Sequence, residues 1–186
     1  MWKTLRQIAR AGIATEDPPP PDESLRTAQA LSEQVLKALG RALCIRHIDA
    51  GSCNGCELEI HALNNPIYSL ESLGIRFVAS PRHADLLLVT GPVSRNMEVA
   101  LRRTYEATPH PKLVVALGDC CCSGGIFGAG YATCGAVSQV IPVDVAVPGC
   151  PPTPARILQG ILTALTQSRD MSPGASAASS QAVDAR

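Results

Sequence analysis

The sequence predicts an α/β domain with a mainly parallel sheet, and three observations carry that expectation. From Leu43 onward, short apolar runs alternate with helical stretches. Glycine- or proline-framed cysteine loops directly follow three of those runs. With 186 residues, 46% of them hydrophobic, the chain is long enough to bury one full core and still carry short arms.

Residues 1–14 place Trp2, Leu5, Ile8, Ala9 and Ile13 on one helical face, with Lys3, Gln7 and Arg10 opposite. Such an arm suits a membrane surface or a partner, and so short a helix fits a frayed start equally well. Pro18 to Pro21 add a stiff spacer, so 1–21 is read as an amphipathic arm with its linker. After Asp22, a helix cap, Leu25, Ala28, Leu31, Val35, Leu36 and Leu39 repeat with helical period until Gly40, which makes 22–42 a docking helix. Strands are then expected at 43–48, 75–79, 85–90, 113–117 and 143–147. A last helix, 154–165, starts directly after the PGCPP loop, where proline suits a first turn. The main domain is thus read as 43–167. The Ala/Ser-rich remainder, 168–186, is expected to be disordered.

Composition narrows the function classes. Formal net charge is zero and no lysine- or arginine-rich run appears, which argues against nucleic acid as a partner. No apolar stretch is long enough to span a bilayer. Eight cysteines without a secretory signal fit a reducing compartment, where thiols serve as ligands rather than cross-links. The glycines at 124–125 and 128–130 match neither phosphate-binding pattern, so a nucleotide site is rejected. A flavin site is weak too, because the loop after the first strand carries thiols where a phosphate cradle is needed.

The thiols form the chemical signal. Cys53 and Cys56 lie three positions apart in GSCNGCE, so one turn can aim both at one metal group. Cys150 sits in PGCPP, where proline stiffens the approach. The fourth ligand comes from Cys120, Cys121 or Cys122, in GDCCCSGG. Structural zinc usually takes two paired knuckles. Here one CxxC is followed by single thiols 64 and then 30 positions on, which suits an iron-sulfur cluster better than a zinc-stabilised binding module. Disulfides and a redox CxxC are the blander alternatives, and neither needs PGCPP or GDC. All three loops follow strands, which puts them at the carboxyl edge of the sheet, where open α/β sheets bind ligands. Cys44 and Cys134 read as buried small hydrophobes. His83 and the other histidines read as structural or exposed. Arg82 is expected to pair with Asp85 or to contact a partner. Arg95, Arg102, Arg103 and Glu106 read as a solvated helix face.

DAGSCNGCELEI, ASPRHADLLLVTGPV, LGDCCCSGGIF and VIPVDVAVPGCPPTP occur in this order. Together they resemble the small, electron-transferring subunit of membrane-bound, formate hydrogenlyase-type nickel-iron hydrogenases, over residues 43 to about 165. The same subunit has a counterpart in respiratory complex I, the terminal-cluster subunit of NADH:quinone oxidoreductase. That counterpart has adjacent cysteines in its first motif, whereas Cys53 and Cys56 are spaced as in hydrogenases. The resemblance implies a flavodoxin-like fold with one 4Fe-4S cluster on Cys53, Cys56, Cys120 and Cys150, Cys120 being the thiol in family register. Relatives usually lack cysteine at the positions of Cys121 and Cys122. A cluster with extra thiolates is disfavoured, since oxygen-tolerant hydrogenases also place an added cysteine where Asn54 and Gly55 stand.

The resemblance further implies a nickel-iron centre on a partner large subunit, a ferredoxin-like iron-sulfur subunit and integral membrane subunits. The chain would sit peripherally on the cytoplasmic side of the cell membrane, as part of an oxidoreductase with no bond-breaking residue of its own. Glu57, directly after the second thiol, has two readings: proton transfer at a subunit interface, and complementing the positive end of a helix over 57–63, the latter favoured.

Overall fold

The computed structural model describes residues 2, 3, 6 and 23–170. The readings placed on the remainder of 1–22 and on 171–186 lie outside the described residues. Along the chain run α1 (Glu23–Leu39), β1 (Leu43–Asp49), α2 (Gly55–Ala62), β2 (Ile75–Phe77), β3 (Leu86–Thr90), β4 (Val93–Ser94), α3 (Arg95–Ala107), β5 (Leu113–Leu117), α4 (Asp119–Ser123), β6 (Thr133–Gly135), β7 (Val145–Val147) and α5 (Pro154–Asp170).

Five strands make one sheet in the order β2-β1-β3-β5-β7, every pair parallel. Counted by sheet strands alone this is the 2-1-3-4-5 order of flavodoxin-like folds, so the expected class is the observed one. Central strand β3, Leu-Leu-Leu-Val-Thr, is buried at all five positions. A strand covered by helices on both faces must be apolar on both. Its alternation divides the core: Leu86 and Leu88 join one cluster with Leu31, Val35, Ile60, Ile157 and Ile161, while Leu87 and Val89 join another with Leu101, Cys121 and Val137. Helices α1, α2 and α5 therefore cover one face, with α1 packed along α5, and α3 and α4 cover the other.

Two aspartates tie neighbouring strands together at their starts by the same reciprocal pair. Asp85 donates its N–H to Cys44 O (2.8 Å) and accepts from Cys44 N–H through Oδ2 (3.0 Å). Asp144 does the same with Val114, at 2.9 and 2.7 Å. Asp85 also receives both Arg41 guanidinium nitrogens, at 2.6 and 2.9 Å, so its ion-pair partner is Arg41 rather than the expected Arg82. Arg82 is exposed. A short antiparallel pair, β4 with β6, was not foreseen; it sets the 124–132 loop against the start of α3, where Arg95 N–H donates to Ala132 O at 2.9 Å.

Candidate metal centre

Three loops at the carboxyl edge of the sheet carry the expected thiols: Cys53 and Cys56 after β1, Cys120 after β5 and Cys150 after β7. The first is shaped by Asp49, whose Oδ1 accepts from the N–H of Gly51 (2.8 Å) and of Ser52 (2.7 Å). Asn54 then takes a left-handed backbone, φ 72°, immediately before α2. Asparagine is among the few non-glycine residues that adopt this region readily. The turn leaves Cys53 exposed and carries Cys56 into the first turn of α2, half-buried.

Cys120 to Cys122 lie in the short helix α4, and their phase separates them. Cys121 is 1% exposed and its sulfur sits 3.0 Å from Val89 O and 3.1 Å from Gly91 O, on the opposite core from the thiol cage. Cys122 reaches Ala116 O at 3.8 Å. Cys120 faces the other thiols: burial raises it first, then the charges of Cys150, Cys53 and Asp119. Cys56 is pushed up to about 12, chiefly by burial, then by Glu57, Cys53, Cys120 and Cys150. Burial and the neighbouring thiols thus disfavour the thiolate at Cys56 and Cys120 until a cation compensates it, as a bound metal would.

The backbone around these sulfurs is cut to fit. A Cβ on Gly118, φ +93°, would lie 2.7 Å from Cys56 Sγ, and one on Gly125 would lie 2.8 Å from Cys120 Sγ. All eight thiols are free. Among the described residues no three His, Cys, Asp or Glu side chains are placed to hold a single metal ion. A mononuclear zinc site needs its sulfurs about 2.3 Å from one point, whereas a cubane gives each thiolate its own iron at a separate corner. Four thiols are the donor set that such a cluster takes.

Glu57 is 8% exposed, and neither of its carboxylate oxygens has a hydrogen-bond partner. It occupies the first turn of α2, as the helix reading expected, yet bonds to none of the free N–H groups there. Its Oε1 stands 3.6 Å from His47 Nε2, a ring held 3.0 Å from Thr90 Oγ1. Burial lowers His47, with the Glu57 charge opposing. His47 also lines a cleft of about 270 Å³ with Arg46, Ile60, His61 and Asn64. It was missed in the sequence, although strand alternation puts it on the face of Leu43 and Ile45, the face that α2 covers. Cys44 and Cys134 are buried as expected, but each is engaged: Arg76 Nε donates to Cys44 (3.3 Å), and Cys134 donates to Glu98 Oε2 (3.3 Å).

Residues 53–164, from the first cage cysteine into α5, match the family described as NADH ubiquinone oxidoreductase, 20 Kd subunit. The chain belongs to this family. Within it, the probable membrane-bound hydrogenase subunit mbhJ of Pyrococcus furiosus is 45% identical, over 76% of this chain and 84% of that one. Formate hydrogenlyase subunit 7 of Escherichia coli is 44% identical over 77% of this chain, and the match spans 55% of that protein's length. Among solved structures, a chain of the membrane-bound sulfane sulfur reductase, an archaeal respiratory membrane complex, superposes with a TM-score of 0.62 at 32% identity, over 81% of this chain and 78% of that one. Members of this 20 kDa family thus serve as subunits of oxidoreductases, several of them membrane-bound. Among the described residues of this member no helix is long and apolar enough to cross a membrane.

Proposed function

We propose that this chain is the electron-transfer small subunit of a membrane-associated nickel-iron hydrogenase complex. One 4Fe-4S cluster, held by Cys53, Cys56, Cys120 and Cys150 in the unit 43–167, would supply one-electron transfer between a nickel-iron centre on the large subunit and a ferredoxin-like subunit. The observation that carries this reading is the convergence of four mutually interacting thiols from three loops on one sheet edge, with glycines where the sulfurs need room. The protein's own part is to hold the thiolates, to limit water around Cys56 and Cys120, and to present Cys53 and Cys150 towards a partner. Glu57 would carry protons beside the cluster; its buried, unbonded carboxylate 3.6 Å from His47, itself lining the cleft, supports this role. Attachment on the cytoplasmic side of the membrane, through integral membrane subunits, is part of the same proposal.

The second reading, the terminal-cluster subunit of a complex I-type NADH:quinone oxidoreductase, is supported by the family itself. Against it stands the two-residue gap between Cys53 and Cys56. Anaerobic purification of the intact complex, with metal analysis and low-temperature EPR, separates the readings. Nickel together with a 4Fe-4S signal lost in Cys150→Ala is expected. Iron without nickel favours the quinone reductase, and zinc alone overturns both.

A further inference from the structure

The reciprocal pairing that Asp85 and Asp144 make at the strand starts occurs a third time, at the thiol edge. Asp119 donates its N–H to Gly149 O at 3.0 Å, and its Oδ1 accepts from Gly149 N–H at 2.8 Å. Asp119 immediately precedes Cys120, and Gly149 immediately precedes Cys150. Two ligand loops 30 positions apart are thus fastened one residue before each thiol. A hydrogen bond to an ionised acceptor is about twice as strong as a neutral one. No other hydrogen bond among the described residues joins Gly149 N–H to the Cys120 loop.

The carboxylate also acts as a charge. It sits one residue before Cys120 and is held on Gly149, one residue before Cys150, so its charge is fixed beside both thiols. Reduction adds an electron to whatever the thiols hold, so a fixed negative charge beside them opposes reduction. We propose that Asp119 is a positioning residue for the metal group: its bracket to Gly149 fixes the spacing of Cys120 and Cys150, and its charge lowers the reduction potential of the cluster they share. This rests on the cluster assignment above and goes beyond it, because Asp119 is no ligand.

The test uses the intact complex purified without oxygen, with iron and sulfide counted first in the unaltered protein. Asp119→Asn keeps an oxygen that can accept from Gly149 N–H and removes the charge. It is expected to retain full iron and to shift the potential upward in an EPR-monitored redox titration, with the gap to the unaltered protein narrowing at high salt because Asp119 is exposed. Asp119→Ala also loses the bracket and is expected to release iron to a chelator about tenfold faster, the loss of one charged hydrogen bond. Full iron with an unmoved potential in Asp119→Asn, or an unchanged release rate in Asp119→Ala, overturns the role of Asp119 and leaves the cluster assignment standing. Unaltered protein without iron overturns both together.

Discussion

Three consecutive cysteines show how far a residue's role depends on what its sulfur meets. Consecutive residues of a helix point about 100° apart, and the sequence alone does not state the phase of so short a helix as α4. That is why Cys120, Cys121 and Cys122 could not be ranked from the residues, whereas glycine and proline around Cys53, Cys56 and Cys150 announced loops built for close approach. The buried bonds of Cys121 to Val89 O and Gly91 O predict that Cys121→Ala costs about 1–3 kcal/mol of stability while iron is retained. Cys120→Ala should lose iron instead; thermal melts paired with iron analysis give the contrast. His47 supplies a pH signature. Burial depresses its folded-state value below the ordinary 6.5, so its stabilising contribution is complete above that pH. As pH falls from there towards the depressed value, the unfolded chain takes up a proton that the folded one refuses, and stability declines. Replacing His47 with Gln should flatten the slope of melting temperature against pH in that acid window.

At the scale of elements, the sheet was largely legible because buried parallel strands are written as apolar runs: 113–117 was read to the residue, and 43–48 came within one. Strands β4 and β6, two and three residues long, were not, since so few residues carry no period. The partner of Asp85 was also hidden, because 44 positions separate it from Arg41. The two halves of that contact are unequal. Asp85→Ala removes the acceptor of the buried Cys44 N–H as well as the ion pair and should cost about 2 kcal/mol. Arg41→Ala removes only an exposed partner and should cost under about 1 kcal/mol in the same denaturant titration. The loop after β3 is tighter still. A Cβ on Gly91, φ +76°, would stand 2.6 Å from Ser52 Cα, where backbone has nowhere to move. Gly91→Ala should therefore displace the Cys53 turn, with a cost above about 3 kcal/mol and loss of iron.

On the scale of the whole molecule, the thiol cage is half open. Cys53 and Cys150 are exposed, and on the same chain Ile126, Phe127 and Tyr131 are 93%, 59% and 100% exposed. A cluster held this way in the isolated chain should surrender iron to a chelator faster than in the assembled complex; equal rates would mean that no partner covers this edge. The placement of the ligands also governs when a metal group can be taken up. They come from the ends of β1, β5 and β7, so the site has no local version: a chain released only as far as α4 holds three of the four thiols and lacks the loop that Asp119 fastens. During synthesis the fourth thiol leaves the ribosome after every strand has been made, and α5, which covers that face of the sheet, follows it. With the proposed cluster, metal loading would follow sheet completion, and a truncated or stalled chain would present no finished cage to load.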